Sequence, residues 1–217
     1  MPYLSTILHI LLNILYTLEF SYLIYHPLYF MIPTPFSLSL INQFKCLISD
    51  ETNFSIVGDV ELTRGNHVWS IPKWSQEFRI EFDILVKMEI NVNEVNVFRI
   101  TNTDHNYEGL GCRIPAFFVF QSKRFGFRFH VNGNNNYAIQ YDYELNKQYQ
   151  IELSQKKNSD GESVYKIIIN GETFHEVINT TPRNFDNAML YLSDVHYDTF
   201  APYGRLSNLT ISSVIMK

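Results

Sequence analysis

Two carboxylates separated by one residue, Glu81 and Asp83, are the nearest approach to a hydrolytic pair in this sequence. They lie in Phe78–Ile84, where apolar and polar residues alternate, so both are predicted on the polar face of one strand. Hydrolysis of a glycosidic bond requires an acid and a nucleophile or base, one on each side of the bond. The pair therefore indicates either the start of a hydrolase site or, as we expect, the solvated face of a strand.

No other residue type supplies a catalytic or zinc-binding pattern. The histidines at 105, 130, 175 and 196 lack the close spacing of zinc ligands, so we expect them to be structural or surface residues. A serine nucleophile in a G-x-S-x-G turn is absent as well. The sequence therefore assigns no catalytic residues.

Cysteines and sequons are typical of an exported protein. Cys46 and Cys112 are the two cysteines, and we predict a disulfide between them; two buried free thiols are the alternative. N-x-S/T sequons predict glycosylation at Asn53, Asn179 and Asn208.

Length, composition and charge limit the classes of function. A chain of 217 residues with 46% hydrophobic and 18% charged residues fits one large globular domain plus a short appendage. The formal net charge is -5, and the basic residues form no long run. Attraction to nucleic-acid phosphates therefore has no visible basis, and we exclude a nucleic-acid partner.

Residues 1–40 form a separate hydrophobic segment. Residues 1–44 contain no Lys or Arg, and Glu19 is their single acid. The segment resembles a cleaved signal peptide that lacks its basic region, or an uncleaved anchor. The third alternative is that the start of the sequence is misplaced, so that some of the first 40 residues do not belong to the protein. A cleaved signal peptide predicts a secreted domain. An uncleaved anchor predicts a domain outside the membrane, with only this segment in contact with the membrane.

From residue 54 onward the hydrophobic period is two, which predicts strands with one buried face. In Phe125–Val131 the apolar residues fall on one face, with Arg128 and His130 on the other. Asn170-Gly171 predicts a type I′ hairpin turn, because both central residues of that turn need positive φ. Further strands are predicted at Tyr137–Tyr141, Tyr149–Leu153, Val164–Ile169, Ala188–Leu192 and Arg205–Ile211.

Three segments resemble the laminin-G-like jelly roll of the concanavalin A-like superfamily. They are Leu145–Leu153, Tyr165–Glu172 with its Asn-Gly turn, and Gly204–Ile211. The last is similar to the closing strand of that family, which packs beside the first strand, here near Phe54–Val60. The resemblance implies an all-β, two-sheet antiparallel sandwich over residues 46–217, preceded by the hydrophobic segment.

The resemblance also bears on chemistry and cofactors. Hydrolases of this superfamily carry a further Glu two or three residues after a Glu-x-Asp pair, and this chain has Leu85 and Val86 there. Related domains often hold calcium in rim loops through aspartate and carbonyl oxygens. By that resemblance Asp194 and Asp104 are candidate calcium ligands, in Ser193–Asp198 and Thr103–Glu108; ordinary surface loops are the alternative.

We therefore predict an extracellular, non-catalytic binding or adhesion module that recognises a carbohydrate or a protein. A glycoside hydrolase-like enzyme and a structural extracellular-matrix module are the alternatives. A polar strand face with Arg128, His130 and Gln140 is the candidate surface for sugars. The aromatic run in Arg113–Phe120 is expected to fill the core.

Overall fold

The computed structural model describes residues 53–103 and 109–213 as a two-sheet β-sandwich. Within these residues no helix has the length and hydropathy of a membrane span. The predicted signal or anchor segment, residues 1–40, lies outside them. The strands are β1 (Asn53–Asp59), β2 (His67–Trp74), β3 (Phe78–Val86), β4 (Glu94–Thr101), β5 (Ala116–Phe120), β6 (Arg124–Val131), β7 (Asn134–Asp142), β8 (Gln148–Lys157), β9 (Ser163–Ile169), β10 (Glu172–Ile178), β11 (Phe185–Leu192), β12 (Asp198–Thr199) and β13 (Gly204–Ser213).

The strands form two sheets that face each other. The first sheet has the order β1-β13-β3-β8-β9-β10, and the second has β2-β11-β4-β5-β6-β7. Neighbouring strands in both orders are antiparallel, and the short β12 adds a parallel pairing to β4. The predicted all-β jelly-roll sandwich is confirmed.

Alternating apolar residues build the core between the sheets. In β3 the residues from Phe78 to Val86 alternate strictly between buried and half-buried positions, as predicted. Phe82 of β3 contacts Phe98 and Phe117 of the second sheet, with ring centroids 5.2 and 4.9 Å apart. Such pairs add to the free energy gained by burying the rings, so these three residues join the two layers.

Turn residues set the register of two hairpins. Asn170 and Gly171 have φ values of 53° and 84°, which confirms the predicted type I′ turn between β9 and β10. Asn132 and Gly133 have the same signs of φ between β6 and β7. Asparagine and glycine tolerate this backbone region at low cost, so the sequence itself determines where these strands reverse.

The closing strand lies where the resemblance implied. β13 pairs with β1, with Phe54 opposite Ile211 and Ser55 opposite Thr210. β13 also pairs with β3 on its other side. The first and last described strands are therefore hydrogen-bonded neighbours, which ties both ends of the sandwich into one sheet.

Candidate ligand-binding face

Strand β5 carries apolar side chains on both of its faces. Phe117 and Val119 belong to the core between the sheets. Phe118 points to the other side, where it forms a second cluster with Tyr197, and Phe120 packs against that cluster. The prediction that this aromatic run fills the core is therefore correct for Phe117 and Val119, whereas Phe118 and Phe120 lie on the outer face of the second sheet.

Arg128 organises the centre of this outer face. Its guanidinium carbon lies 4.6 Å from the ring centroid of Phe118 and 5.6 Å from that of Phe120. Its Nη2 also lies 2.7 Å from Oε2 of Glu94. Both side chains of this ion pair are largely shielded from solvent. The cation is thus held between two aromatic rings and one carboxylate, which fixes all four side chains relative to one another.

Phe120 rests on the backbone of the neighbouring strand. Gly126 of β6 lies under the ring, and a Cβ atom at this position would collide with it. A side chain at 126 would therefore push the Phe120 ring aside. The absent side chain at Gly126 creates the seat for a half-buried aromatic ring.

A shallow, open depression lies beside this ring. It is lined by Val92, Asn93, Glu94, Phe120 and Asp198. Asn93 and Asp198 are exposed to solvent, whereas Glu94 and Phe120 are half-buried. The parallel pairing of β12 with β4 places Asp198 beside the strand that carries Glu94. One aromatic ring, one amide and two carboxylates therefore surround the same open space.

A second arginine supports the face from the other end of β5. Arg113 donates from Nη2 to the hydroxyl of Tyr197 at 2.9 Å, and Nη1 donates to Oδ1 of Asn136. The Tyr197 ring meets Phe118 edge to face at 4.9 Å between centroids. This network joins the loop after β11 to the start of β7, so the aromatic cluster is held rigidly from several elements.

The loop after β11 is anchored by a buried ion pair. Nη2 of Arg99 lies 2.7 Å from Oδ2 of Asp194, and both side chains are almost fully buried. The backbone N–H of Asp194 donates to Oδ1 of Asn96 at 3.0 Å, and Oδ1 of Asp194 accepts from the N–H of His196 at 2.8 Å. These contacts hold the loop against β4 before it reaches Asp198.

These contacts place Asp194 in a different setting from the rim loop implied by the resemblance. Its carboxylate already has a cationic partner in Arg99. Among residues 53–103 and 109–213, no group of three or more His, Cys, Asp or Glu side chains is arranged to hold a metal ion. Asp104, the other candidate, lies outside the described residues. The calcium site stays a prediction.

The pair Glu81 and Asp83 lies on the other sheet. Both residues are on the outer face of β3, away from the depression. Nη2 of Arg79 lies 2.8 Å from Glu81 and 2.8 Å from Glu152. Asp83 accepts a hydrogen bond of 2.7 Å from Nδ2 of Asn208. On the outer face of the first sheet, Glu81 therefore takes part in an ion pair and Asp83 in a hydrogen bond to an amide.

One of the two cysteines of the predicted disulfide, Cys112, lies among the described residues. Cys112 is buried, and its Sγ lies 3.3 Å from the hydroxyl oxygen of Thr103. Cys46 lies outside the described residues, so the pairing of Cys46 with Cys112 stays a prediction.

The structure gives the three sequons different settings. Asn208 is exposed in β13, and Asn53 is half-buried at the start of β1. Asn179 is 2% exposed, and its Nδ2 donates to Gln155 at 2.7 Å and to the carbonyl of His130 at 3.3 Å. An oligosaccharide on this nitrogen has no room in the folded domain, so the structure argues against the glycosylation predicted at Asn179.

The predicted polar face is partly assembled. Arg128 and Gln140 both lie on the outer face of the second sheet, and Gln140 accepts a hydrogen bond of 2.5 Å from Nη1 of Arg124. His130 is instead buried, near Phe185. Loss of solvent and the nearby charge of Arg183 lower the pKa of His130 below its usual value. His130 is therefore a structural residue.

Comparisons with known proteins add likenesses of fold. No family model matches the chain, and no curated protein matches it. Among solved structures, alginate lyase Aly36B is 15% identical over 76% of this chain and 81% of its own, with a TM-score of 0.45. The receptor binding domain of botulinum neurotoxin D is 14% identical over 76% of this chain and 41% of its own, with a TM-score of 0.45. A SAP-like pentraxin from Limulus polyphemus is 10% identical over 76% of this chain and 78% of its own, with a TM-score of 0.45. These values assign neither a family nor an activity.

The residues that line the depression form no recognisable motif in the sequence. The polar alternation that begins at Glu94 changes phase after Val97, and Asp198 is the last residue of the predicted calcium loop. Phe120 had a usable signal. In a strand, residues 117 and 119 face away from residues 118 and 120, so an aromatic run must present rings to both sides.

Proposed function

We propose that this chain is a non-catalytic binding module that recognises a carbohydrate at the depression lined by Val92, Asn93, Glu94, Phe120 and Asp198. The observation that carries the proposal is the half-buried Phe120 ring beside two carboxylates and an amide in an open depression. Its extracellular location is part of the proposal and follows from the hydrophobic segment and the sequons.

The chemistry of the depression matches that of a sugar ring. A pyranose has an apolar C–H face and a rim of hydroxyl groups that donate and accept hydrogen bonds. An aromatic ring packs against the apolar face. Carboxylate oxygens accept hydrogen bonds from the hydroxyls, and an amide can both donate and accept them. Phe120 would supply the platform, and Glu94, Asn93 and Asp198 would supply the polar contacts.

Preorganisation supports binding at this place. Glu94 is held by Arg128 at 2.7 Å, and Phe120 is held by Gly126 beneath it and by Arg128 beside it. Side chains that are already fixed lose little conformational entropy when a ligand arrives, so more of the contact energy contributes to affinity.

The test is a glycan array probed with the full chain, followed by titration of the best oligosaccharide. We expect Phe120→Ala and Glu94→Gln each to weaken binding about tenfold or more, which corresponds to the loss of roughly 1.4 kcal/mol. Glu81→Gln is the matched control, because Glu81 is also an ion-paired carboxylate on a strand but lies on the other sheet. Equal loss of binding in Glu81→Gln and Glu94→Gln, or no loss in either, contradicts the proposed site.

A hydrolase is the second candidate, because Glu94 and Asp198 are two carboxylates on one depression. The ion pair of Glu94 with Arg128 favours a binding role, since this carboxylate already serves as a partner to a cation. Release of reducing ends from the bound oligosaccharide distinguishes the two. Release that disappears in both Glu94→Gln and Asp198→Asn would establish the enzyme instead.

A further inference from the structure

A small cavity lies between the two sheets, at the end of the sandwich where β5 begins. Five aromatic side chains from both sheets form its walls: Trp74, Phe78, Phe129, Tyr165 and Phe185. Its volume is about 20 Å³, which is room for a group the size of one water molecule. The proposed glycan site lies at the other end of β5, and the two sites share no residue.

The hydroxyl of Tyr165 is a buried donor in the wall of this cavity. Tyr165 is only 1% exposed, and its ring is stacked on Phe129 with 3.6 Å between centroids. Phe78 meets the same ring edge to face at 6.0 Å, so the ring is held from two sides. Among the residues that the structure describes, none forms a hydrogen bond with this hydroxyl. A buried hydroxyl without a partner is costly, so a bound group that accepts from Tyr165 is favoured.

The two side-chain amides of the lining already have partners within the protein. Nδ2 of Asn179 donates to Oε1 of Gln155 at 2.7 Å, and Nε2 of Gln155 donates to the carbonyl oxygen of Gln76 at 2.5 Å. Oδ1 of Asn179 accepts from the backbone N–H groups of Asn132 and Thr181, both at 3.1 Å. Each polar atom of both amides is therefore engaged, so the amides build the cavity and leave the binding of a ligand to other groups.

Arg183 places a positive charge at the opening of the cavity. It is the exposed residue of the described lining, and it forms no ion pair with any residue in 53–103 or 109–213. Desolvation, and then the charge of Arg183, lower the pKa of His130, which also lines the cavity. The charge of Arg183 is therefore felt inside the cavity, and the described lining contains no aspartate or glutamate to balance it.

We propose that this cavity binds a carboxylate group. One oxygen of the carboxylate enters the cavity and accepts a hydrogen bond from the Tyr165 hydroxyl, while the other stays at the opening beside the guanidinium of Arg183. An ionised carboxylate only accepts hydrogen bonds, and Tyr165 and Arg183 can both donate them. The hydrogen bond from the guanidinium is strengthened by the two opposite charges. A water molecule would satisfy Tyr165 alone and leave the charge of Arg183 unbalanced.

The size of the cavity limits how much of the ligand can enter. A volume of about 20 Å³ accommodates the end group, so the rest of the molecule stays in solvent beyond Arg183. The carrier of the carboxylate is therefore a small organic acid or an acidic sugar, because both present this group at one end. Acetate and glucuronate represent the two classes.

The test follows the indole N–H signals of the two tryptophans by nuclear magnetic resonance. Sodium acetate is added to the full chain at pH 7 in a non-ionic detergent, with sodium chloride titrated in parallel as the control for ionic strength. Trp74 lines the cavity, whereas Trp69 stacks on Phe54 outside it. We expect acetate to cause a saturable shift of the Trp74 signal and none of the Trp69 signal, and chloride to shift neither.

Glucuronate is titrated in the same way to identify the carrier. Binding at least tenfold tighter than that of acetate identifies an acidic sugar. Equal or weaker binding identifies a small organic acid.

Two substitutions and two matched controls assign the contacts. We expect Arg183→Gln and Tyr165→Phe each to weaken acetate binding about tenfold. Arg64→Gln removes an exposed arginine that does not line the cavity. Tyr143→Phe removes a hydroxyl that is likewise buried without a partner among the described residues, but outside the lining. Both controls should bind acetate as the wild type does, and circular dichroism checks that all four variants are folded.

Three results overturn the carboxylate site: no saturable shift of the Trp74 signal with acetate, an equal shift with chloride, or unchanged acetate affinity in Arg183→Gln. Because Arg183 is exposed, its substitution leaves the core intact, so the test decides even if Tyr165→Phe fails to fold. Glycan binding at Phe120 is measured separately with Phe120→Ala, so the two proposals fail independently.

Discussion

Arg99 and Asp194 form an ion pair with 2.7 Å between Nη2 and Oδ2, and the two side chains are only 2% and 1% exposed. Arg99 belongs to β4, and Asp194 lies in the loop between β11 and β12. The pair joins the sheet to the loop that brings Asp198 to the proposed site. Removal of one partner leaves the other charge buried without compensation, which is costly.

We expect Asp194→Ala to lower the free energy of unfolding by about 3–5 kcal/mol. Asp186→Ala is the matched control, because Asp186 is an exposed aspartate on neighbouring β11, and it should change stability by less than about 0.5 kcal/mol. Denaturant titrations of the three proteins measure the difference. A small effect of Asp194→Ala would mean that the pair does not hold the loop.

Calcium can be tested against the same residue. Because Arg99 already pairs with Asp194, we expect Asp194 to bind no calcium. It should therefore contribute nothing to any difference in unfolding temperature between calcium and chelator. Thermal unfolding with calcium and with chelator measures this for the wild type and Asp104→Asn. A rise in unfolding temperature with calcium that disappears in Asp104→Asn would support the predicted site in the Thr103–Glu108 loop.

Glycosylation should follow exposure. When the chain is produced through a eukaryotic secretory pathway, we expect oligosaccharide at Asn208 and Asn53 and none at Asn179, whose amide is buried and bonded to Gln155 and His130. Mass spectrometry of peptides from the folded, secreted protein identifies the occupied sites. A glycan on Asn179 in folded protein would contradict the burial of this amide.

The buried role of Asn179 has its own consequence for stability. Asn179→Asp replaces the donating amide with an oxygen that faces the side-chain oxygen of Gln155 and the carbonyl of His130. Loss of both hydrogen bonds should cost about 1–3 kcal/mol in the free energy of unfolding. Asn146→Asp, at an exposed asparagine in the turn before β8, is the control in the same denaturant titration.

Stability should fall in mildly acidic solution. Desolvation, and then the charge of Arg183, lower the pKa of His130 below 6.5, and desolvation lowers that of His175. As the pH falls below 6.5, the unfolded chain therefore binds protons before the folded chain does, and stability is lost until the folded pKa is passed. Denaturant titrations at pH 7 and pH 5 should show a smaller decrease for His130→Gln than for the wild type. An equal decrease in both would assign the effect to other groups.

Much of the fold follows from local patterns. The alternation in Phe78–Val86 and Phe125–Val131 predicts half-buried strands, because each strand places successive side chains on opposite faces. Asn170-Gly171 predicts its hairpin from backbone geometry alone. These predictions succeed because each depends on neighbouring residues.

Strand β4 is not among the predicted strands, and a change of phase in its polar pattern explains why. Seven of its eight residues are buried. The first sheet covers the inner face of β4, and the loop after β11 covers its outer face. Polar and apolar residues alternate in Glu94–Val97 and again in Phe98–Thr101, but the register shift between these two segments changes the phase, so no single period of two runs through the strand. Asn96 and Arg99 are polar, yet they are buried because Asp194 satisfies them from far along the chain.

The sequence by itself determined the class of the fold, because strand periodicity and turn residues are local properties of the chain. Only the tertiary structure decided where a ligand could bind. Glu94, Phe120 and Asp198 are distant in sequence, and they meet because β4 pairs with β5 on one side and with β12 on the other. Pairing between distant strands depends on long-range packing, and no short segment of this sequence records it.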